Sequence, residues 1–205
     1  MTSCIGCGGS VMIRTMKQRL REALSRRQKR YIVDANRVLS AVLLPIYYKQ
    51  GQYYILFTKR TEKVKEHKAQ ISFPGGAYEK RNGTLVDTAL RECAEEIGLK
   101  AEAVELLGEL DYTVTTTSNY IISPFVAAIP WPHPLKLNRR ETEEIIEVPI
   151  SALLDKSSLR QETEILDGEV VSSYSYHYQG RVIWGATARI LNQFLDILAQ
   201  VMESK

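Results

Sequence analysis

Glu92, Glu95 and Glu96 stand at i, i+3 and i+4 in the run LRECAEEIGL, and they are the residues whose spacing points first to chemistry. In a helix turning about 100° per residue, their carboxylates fall within an arc of about 100°. Val86, Leu90, Cys93 and Ile97 make an apolar stripe on the same helix, centred roughly 130° from the acids. Like charges at this spacing repel by a few tenths of a kcal/mol per pair. A helix that needs only solubility would intersperse lysines among them. Hard oxygen donors gathered on one rigid face are what Mg²⁺ or Mn²⁺ requires. An E-x-x-E-E alone also fits a solvated acidic face, so the neighbouring residues must decide between the two.

Those neighbours predict a mixed set of elements. Residues 38–48 (VLSAVLLPIYY) read as a strand, with Pro45 suggesting an edge position or a bulge. The Gln50-Gly51 turn leads to a second strand over 53–58, making a hairpin. A basic loop over 59–70 then runs into the tight turn Phe73-Pro74-Gly75-Gly76. The acidic segment reads as a helix over 85–97, stopped by Gly98. Further strands are predicted over 104–112, 121–129 and 145–148, followed by a short helix from Pro149 through Leu154. Alternating Tyr174, Tyr176 and Tyr178 mark a strand over 170–178, and the turn Gln179-Gly180 returns the chain through 181–184. A helix over 187–202 closes the sequence. The absence of strict βαβ alternation favours an α/β sandwich over a doubly wound parallel sheet.

Composition sets the outer bounds. The chain has 205 residues, 44% of them hydrophobic and 25% charged, which suits one globular domain with a helical extension. No apolar run reaches the roughly 20 residues that span a bilayer, and the first dozen residues lack the pattern of a secretory signal, so a cytoplasmic protein is expected. Three cysteines do not make a disulfide framework. Cys4 and Cys7 form a C-x-x-C without a second pair, which reads as a frayed N-terminus rather than a zinc site. The net charge of +3 is unevenly spread, with eight basic residues and the single acid Glu22 between Arg14 and Arg30. Ile13, Met16, Leu20, Ala23 and Leu24 recur there at helical spacing. Residues 1–35 are therefore expected to be an extension carrying a basic amphipathic helix, ahead of one domain over 36–203. Its outer face is either simply solvated or an electrostatic lure for a polyanion.

The stretch GGAYEKRNGTLVDTALRECAEEIGL, residues 75–99, resembles the Nudix box, G-x5-E-x7-R-E-U-x-E-E-x-G-U, with U a bulky apolar residue. Arg91, Glu92, Glu95, Glu96, Gly98 and Leu99 agree, and Cys93 holds the apolar site as a small buried hydrophobe. Gly76 precedes Arg91 by fifteen residues rather than fourteen, and Asn82 or Gly83 stands where the box has its early Glu, with Glu79 nearby. The insertion is shared by a subgroup resembling coenzyme A pyrophosphatases, whose upstream signature is L-L-T-x-R-[SA]-x3-R-x3-G-x3-F-P-G-G. Leu56, Thr58, Arg60 and Phe73-Pro74-Gly75-Gly76 match it; Phe57, Thr61, Lys65 and Ala69 depart from it. Lys65 keeps the charge of an Arg but loses its bidentate fork. The segment IWGATARIL, 183–191, is similar to that subgroup's ending.

The resemblance implies a Nudix α/β/α sandwich with a mixed sheet and an N-terminal helix, working with Mg²⁺ or Mn²⁺ on a small nucleotide-like substrate. It implies Glu92, Glu95 and Glu96 as metal ligands, joined by the Gly76 carbonyl, with Arg91 orienting the carboxylates. A further acid, Glu141 or else Glu144, is implied as general base or extra ligand. Arg60 and Lys65 are expected to contact phosphate, with His67 a weaker candidate. Lys59, Lys63 and Lys68 are the places to look for a partner to a 3′-phosphate. The implied reaction is hydrolysis of coenzyme A or its thioesters, with ADP-ribose or another nucleotide derivative as the rival substrate, and a silent nucleotide-binding module as the rival role. Homodimers are common in the family; no membrane partner is expected and a nucleic-acid partner is disfavoured.

Overall fold

The computed structural model describes residues 15–61, 70–116, 118–166 and 169–203. The chain opens with α1 (Met16–Arg26), whose first turn is closed by a capping box between Thr15 and Gln18. β1 (Val38–Lys49) and β2 (Gln52–Arg60) form the expected hairpin. Its turn residues Gln50 and Gly51 both have positive φ, 50° and 83°, which matches the twist of the flanking strands. β3 (Ile71–Ser72) and β4 (Gly75–Ala77) bracket the Pro74 turn, and α2 (Leu85–Ile97) follows. β5 (Glu105–Glu109), β6 (Thr113–Val114), β7 (Tyr120–Ala128) and β8 (Thr142–Pro149) come next, then the short α3 (Ile150–Leu154). β9 (Leu159–Leu166), β10 (Glu169–Tyr178) and β11 (Arg181–Trp184) lead to the long closing helix α4 (Gly185–Glu203).

Eight strands make one mixed sheet in which β1 is central, parallel to β7 and antiparallel to β2 and β4. Strands 9 to 11 form a separate antiparallel sheet. Side chains alternate across β1 as a strand requires. Ala41, Leu43 and Tyr47 join Ala89, Cys93 and Ile97 of α2 in one apolar cluster. Leu44 and Ile46 join Leu20 and Leu24 of α1 and Phe194 and Leu198 of α4 in the other. Helices thus cover both faces of the sheet, giving the α/β/α sandwich.

Two expectations are corrected. Pro45 is neither at an edge nor in a bulge, because it lies mid-strand opposite Ala127 of β7. On its other side β1 exchanges partners, pairing through Val42 with β4 and from Ile46 with β2. The Leu43 N–H points to that side, toward Pro74 O, so by alternation the N–H that Pro45 lacks would have pointed into the gap between partners. The N-terminal helix turns its apolar face inward, with Leu20 and Leu24 buried in the core. The charges of this basic segment are largely met by Glu105 and Glu109 of β5 and by Asp111 just beyond it. Lys17 and Arg21 both bind Glu105 at 2.6 Å, Arg27 binds Asp111 at 3.0 Å, and Lys29 binds Glu109. Lys29 also sits over the rings of Tyr31 and Tyr112. This favours a structural role for the basic segment over a polyanion lure. Finally, β9 had no counterpart in the sequence-based strands. Cys4 and Cys7 lie outside the described residues.

Candidate metal centre

The site is built where α2 crosses β4. Thr84 and Asp87 form a reciprocal capping box at the start of α2, with Asp87 accepting from the Thr84 N–H at 2.8 Å. Tyr78 donates to the Gly83 carbonyl at 3.0 Å, so the turn before the helix is secured although the early Glu of the box is missing. Glu79, the nearby acid, pairs with Arg81 at the surface instead. Gly98 ends the helix in the left-handed region at φ 71°, where its N–H reaches back to the Ala94 carbonyl.

The three helix carboxylates occupy three different environments. Glu95 is exposed and bonds Arg91 at 2.7 Å. Glu92 is half-buried and bonds the other end of the same guanidinium. Glu96 is 4% exposed, so the helix wheel, which set all three acids apart from the core stripe, misplaces this one. The reason is the crossing strand, since α2 sets Glu92 against Gly76 and Glu96 against the Gly75 amide of β4. Gly76 permits that approach, because a Cβ there would lie 2.4 Å from Glu92 Oε1. Burial also falls on Ala89, Cys93 and Ile97, while Val86 and Leu90 are only half-buried.

Glu96 accepts from the Gly75 amide and has Arg60 Nη1 3.9 Å from Oε1, but its Oε2 is buried without a hydrogen-bond partner among the described residues. Burial raises its pKa to about 8, against the pull of Arg60 and with further upward pushes from Glu92 and Glu141. Glu92 is raised too, by burial first and by Glu95 and Glu141 among its neighbours, although Arg91 opposes this. The Glu141 charge thus contributes to the upward push on both helix carboxylates. The turn carrying Glu141 is fastened to the end of β2, where Thr61 N–H donates to the Glu141 carbonyl at 2.9 Å and Thr61 Oγ1 donates to Arg140 O. The neighbouring acids are engaged elsewhere, Glu143 with Lys59 at 3.0 Å and Glu144 with Arg181 at 2.6 Å. Lys65, His67, Ala69, Lys63 and Lys68 lie outside the described residues.

Among the described residues, no three acidic, histidine or cysteine side chains converge tightly enough to enclose a cation as they stand. Each carboxylate instead takes the nearest guanidinium. The donor set nevertheless fits a divalent cation. A buried, partnerless carboxylate oxygen beside a second half-buried carboxylate is costly without a positive charge, and oxygen donors suit Mg²⁺ and Mn²⁺. The expected Gly76 carbonyl is the exception. Leu43 N–H bonds Pro74 O and Tyr78 N–H bonds Leu39 O, so by strand alternation Gly76 also turns its N–H and C=O toward β1. The backbone groups directed away from β1, toward the carboxylates, are those of Gly75 and Ala77.

A cleft of about 270 Å³ opens beside this centre. It is lined by Arg60, Gly75 and Gly76, by Thr115, Thr116 and Ser118, and by Trp184 to Thr187. Sequence reasoning had singled out 183–191 only by resemblance, and had not connected it with the site.

Residues 37–171 match the NUDIX domain. The chain is 35% identical over 154 residues to the Nudix hydrolase NudL of Photorhabdus laumondii, covering 75% of this chain and 81% of that protein. It is 33% identical over 155 residues to NudL of Yersinia pestis, covering 74% and 75%. Its fold is similar to a MutT/nudix family protein from Enterococcus faecalis, with a TM-score of 0.55 at 17% identity over 87% of this chain and 71% of that one. The acidic helix crossing a Gly-Gly strand, the matched domain and these relatives together identify the chain as a member of the Nudix hydrolase family.

Proposed function

We propose that the protein hydrolyses the pyrophosphate bond of coenzyme A or its thioesters, giving 4′-phosphopantetheine, or its acyl form, and adenosine 3′,5′-bisphosphate. The observation that carries the hydrolytic part is Glu96, a buried carboxylate that has an oxygen without a hydrogen-bond partner among the described residues and feels the charges of Glu92 and Glu141; it would hold Mg²⁺ or Mn²⁺. The substrate part is supported by Leu56, Thr58, Arg60 and the Phe73-Pro74-Gly75-Gly76 turn, which bring a signature-matching segment against the centre.

In this reading Glu92, Glu95 and Glu96 hold the cation, with the outward carbonyl of Gly75 beside them. When bound, the cation polarises phosphoryl oxygens and lowers the pKa of a coordinated water. Arg91 bridges Glu92 and Glu95 and keeps their side chains from splaying apart. Glu141, the acid of its turn with no ion pair among the described residues, takes a proton from the attacking water. Arg60 lines the cleft and offers its guanidinium to the substrate phosphates, and Lys65 adds a second positive charge.

The purified protein, supplied with Mg²⁺ or Mn²⁺, should be given coenzyme A, ADP-ribose and a dinucleoside polyphosphate side by side and the products resolved by chromatography. Coenzyme A should turn over fastest. Equal or faster hydrolysis of ADP-ribose would remove the substrate assignment, and binding without turnover of any of them would make the protein a nucleotide-binding module.

A further inference from the structure

We infer that Trp184 is the platform on which the nucleoside base of the substrate stacks; the inference rests on the pyrophosphohydrolase reading above and adds a specificity-determining residue to it. Along β11 the side chains alternate, Ile183 being buried at 2% while Trp184 is 46% exposed. That exposure is not onto open surface alone, because Trp184 also lines the cleft that Arg60, Gly75 and Gly76 line. The chain's other tryptophan, Trp131, is stacked on Tyr47 with ring centroids 4.4 Å apart and is accounted for by packing. Trp184 stacks on no other ring among the described residues.

A large aromatic face left wet at the rim of a cleft is a recognition surface for another flat ring. Arg60 brings a guanidinium into the lining of the same cleft, together with the short polar side chains of Thr115, Thr116 and Thr187. A molecule carrying both a base and a pyrophosphate would find in one cleft a ring to stack on, Trp184, and a cation for its phosphates, Arg60. A pantetheine arm offers no ring to stack, so the geometry points to the nucleoside half of the substrate lying in this cleft.

Tryptophan fluorescence under titration with AMP, and with ribose 5-phosphate as the probe lacking a base, tests this. AMP should quench emission in the wild type and in Trp131→Phe but not in Trp184→Phe, and ribose 5-phosphate should quench none of them. Base stacking on an aromatic side chain is worth about 1–3 kcal/mol. Trp184→Ala should therefore raise the KM for a hydrolysed nucleotide by about tenfold with kcat nearly unchanged, and Trp184→Phe should restore most of the loss. A quench by ribose 5-phosphate equal to that by AMP, or an AMP quench that survives Trp184→Phe, would overturn the inference. So would an unchanged KM in Trp184→Ala. Should Trp184→Ala fail to fold, the quench of the intact residue still decides. Failure of the underlying hydrolase reading has a different signature, because the wild type itself would then turn over no nucleotide whatever the quench.

Discussion

Replacing Glu96 by Gln should make the metal-free protein more stable while removing its hydrolytic activity. The ordinary value of a glutamate is 4.5, and Glu96 in the fold lies at about 8. Between these two values the folded state keeps a proton that the unfolded state has released. Stability therefore falls as pH rises from 4.5 to 8 and levels off above, costing about 4–5 kcal/mol at the plateau. Gln carries no ionisation penalty and keeps an oxygen for the Gly75 amide. It leaves an unpaired amide N–H and an Arg60 without a counter-charge, which return part of the gain at about 1–3 kcal/mol. The net expectation at pH 8 is about 2 kcal/mol in favour of Gln, which for a chain of this size raises Tm by roughly 4–8 °C.

Thermal unfolding in EDTA at pH 5, 6.5 and 8 measures this. The gap between variant and wild type should be small at pH 5, where Glu96 is itself neutral, and should widen toward pH 8. Mg²⁺ should then close the gap from the other side, because a ligand at about 100 times its Kd adds about 2.7 kcal/mol to the protein that binds it. Glu96→Gln should gain little. A variant less stable than wild type at pH 8 in EDTA, or a gap equal at pH 5 and pH 8, would refute the idea that the fold tolerates a destabilising carboxylate for the sake of a cation.

Gly76→Ala places a methyl group 2.4 Å from Glu92 Oε1, and a displacement of this order near reacting groups should lower kcat/KM by about a hundredfold in steady-state assays. Glu141→Gln should lower kcat by about a hundredfold or more, whereas Glu144→Gln, which only breaks the partly exposed contact to Arg181, should stay within about twofold. Leu20→Ala should destabilise the protein by about 2–5 kcal/mol in denaturant unfolding, because this side chain is fully buried between α1 and the core; a loss under about 0.5 kcal/mol, the usual surface value, would make the N-terminal helix dispensable.

What could be read in advance was what local signals encode. The bounds of α2 follow from Thr84 and Asp87 at one end and Gly98 at the other, all within a few residues of the helix they delimit. The β1–β2 hairpin follows likewise from Gln50-Gly51. The burial of Glu96 does not belong to this class. A helical wheel orders residues about the helix's own axis and contains nothing about which strand passes beside it, so two adjacent glycines on β4 turn a seemingly wet flank into an interior one. The same holds for Gly75 and Gly76. Adjacent in sequence and chemically identical, they are distinguished only by the register of β4 on β1, a pairing across some 35 residues that sends one carbonyl to a neighbouring strand and the other toward the carboxylates. The basic helix shows the converse error, since its charge was legible but its partners Glu105, Glu109 and Asp111 lay roughly 80 residues away. Strand β9 was missed because its run RQETE is almost entirely polar, and its pairing with β10 rather than its own pattern makes it a strand.

These misses share a cause that bears on the site itself. The family signature names the residue types a cation needs, but it does not say which of them the fold will dehydrate. Glu95, in solvent and held by Arg91, exchanges one cation for another when a metal arrives, at small net gain. Glu96, dehydrated and short of a partner, has far more to gain from the same event. Two acids adjacent in the motif should therefore differ sharply in how much each contributes to metal affinity. Calorimetric titration of Mn²⁺ into Glu95→Gln and Glu96→Gln checks this, and the loss should be at least about tenfold larger for Glu96. Equal losses would mean that the cation reads the motif and not the burial.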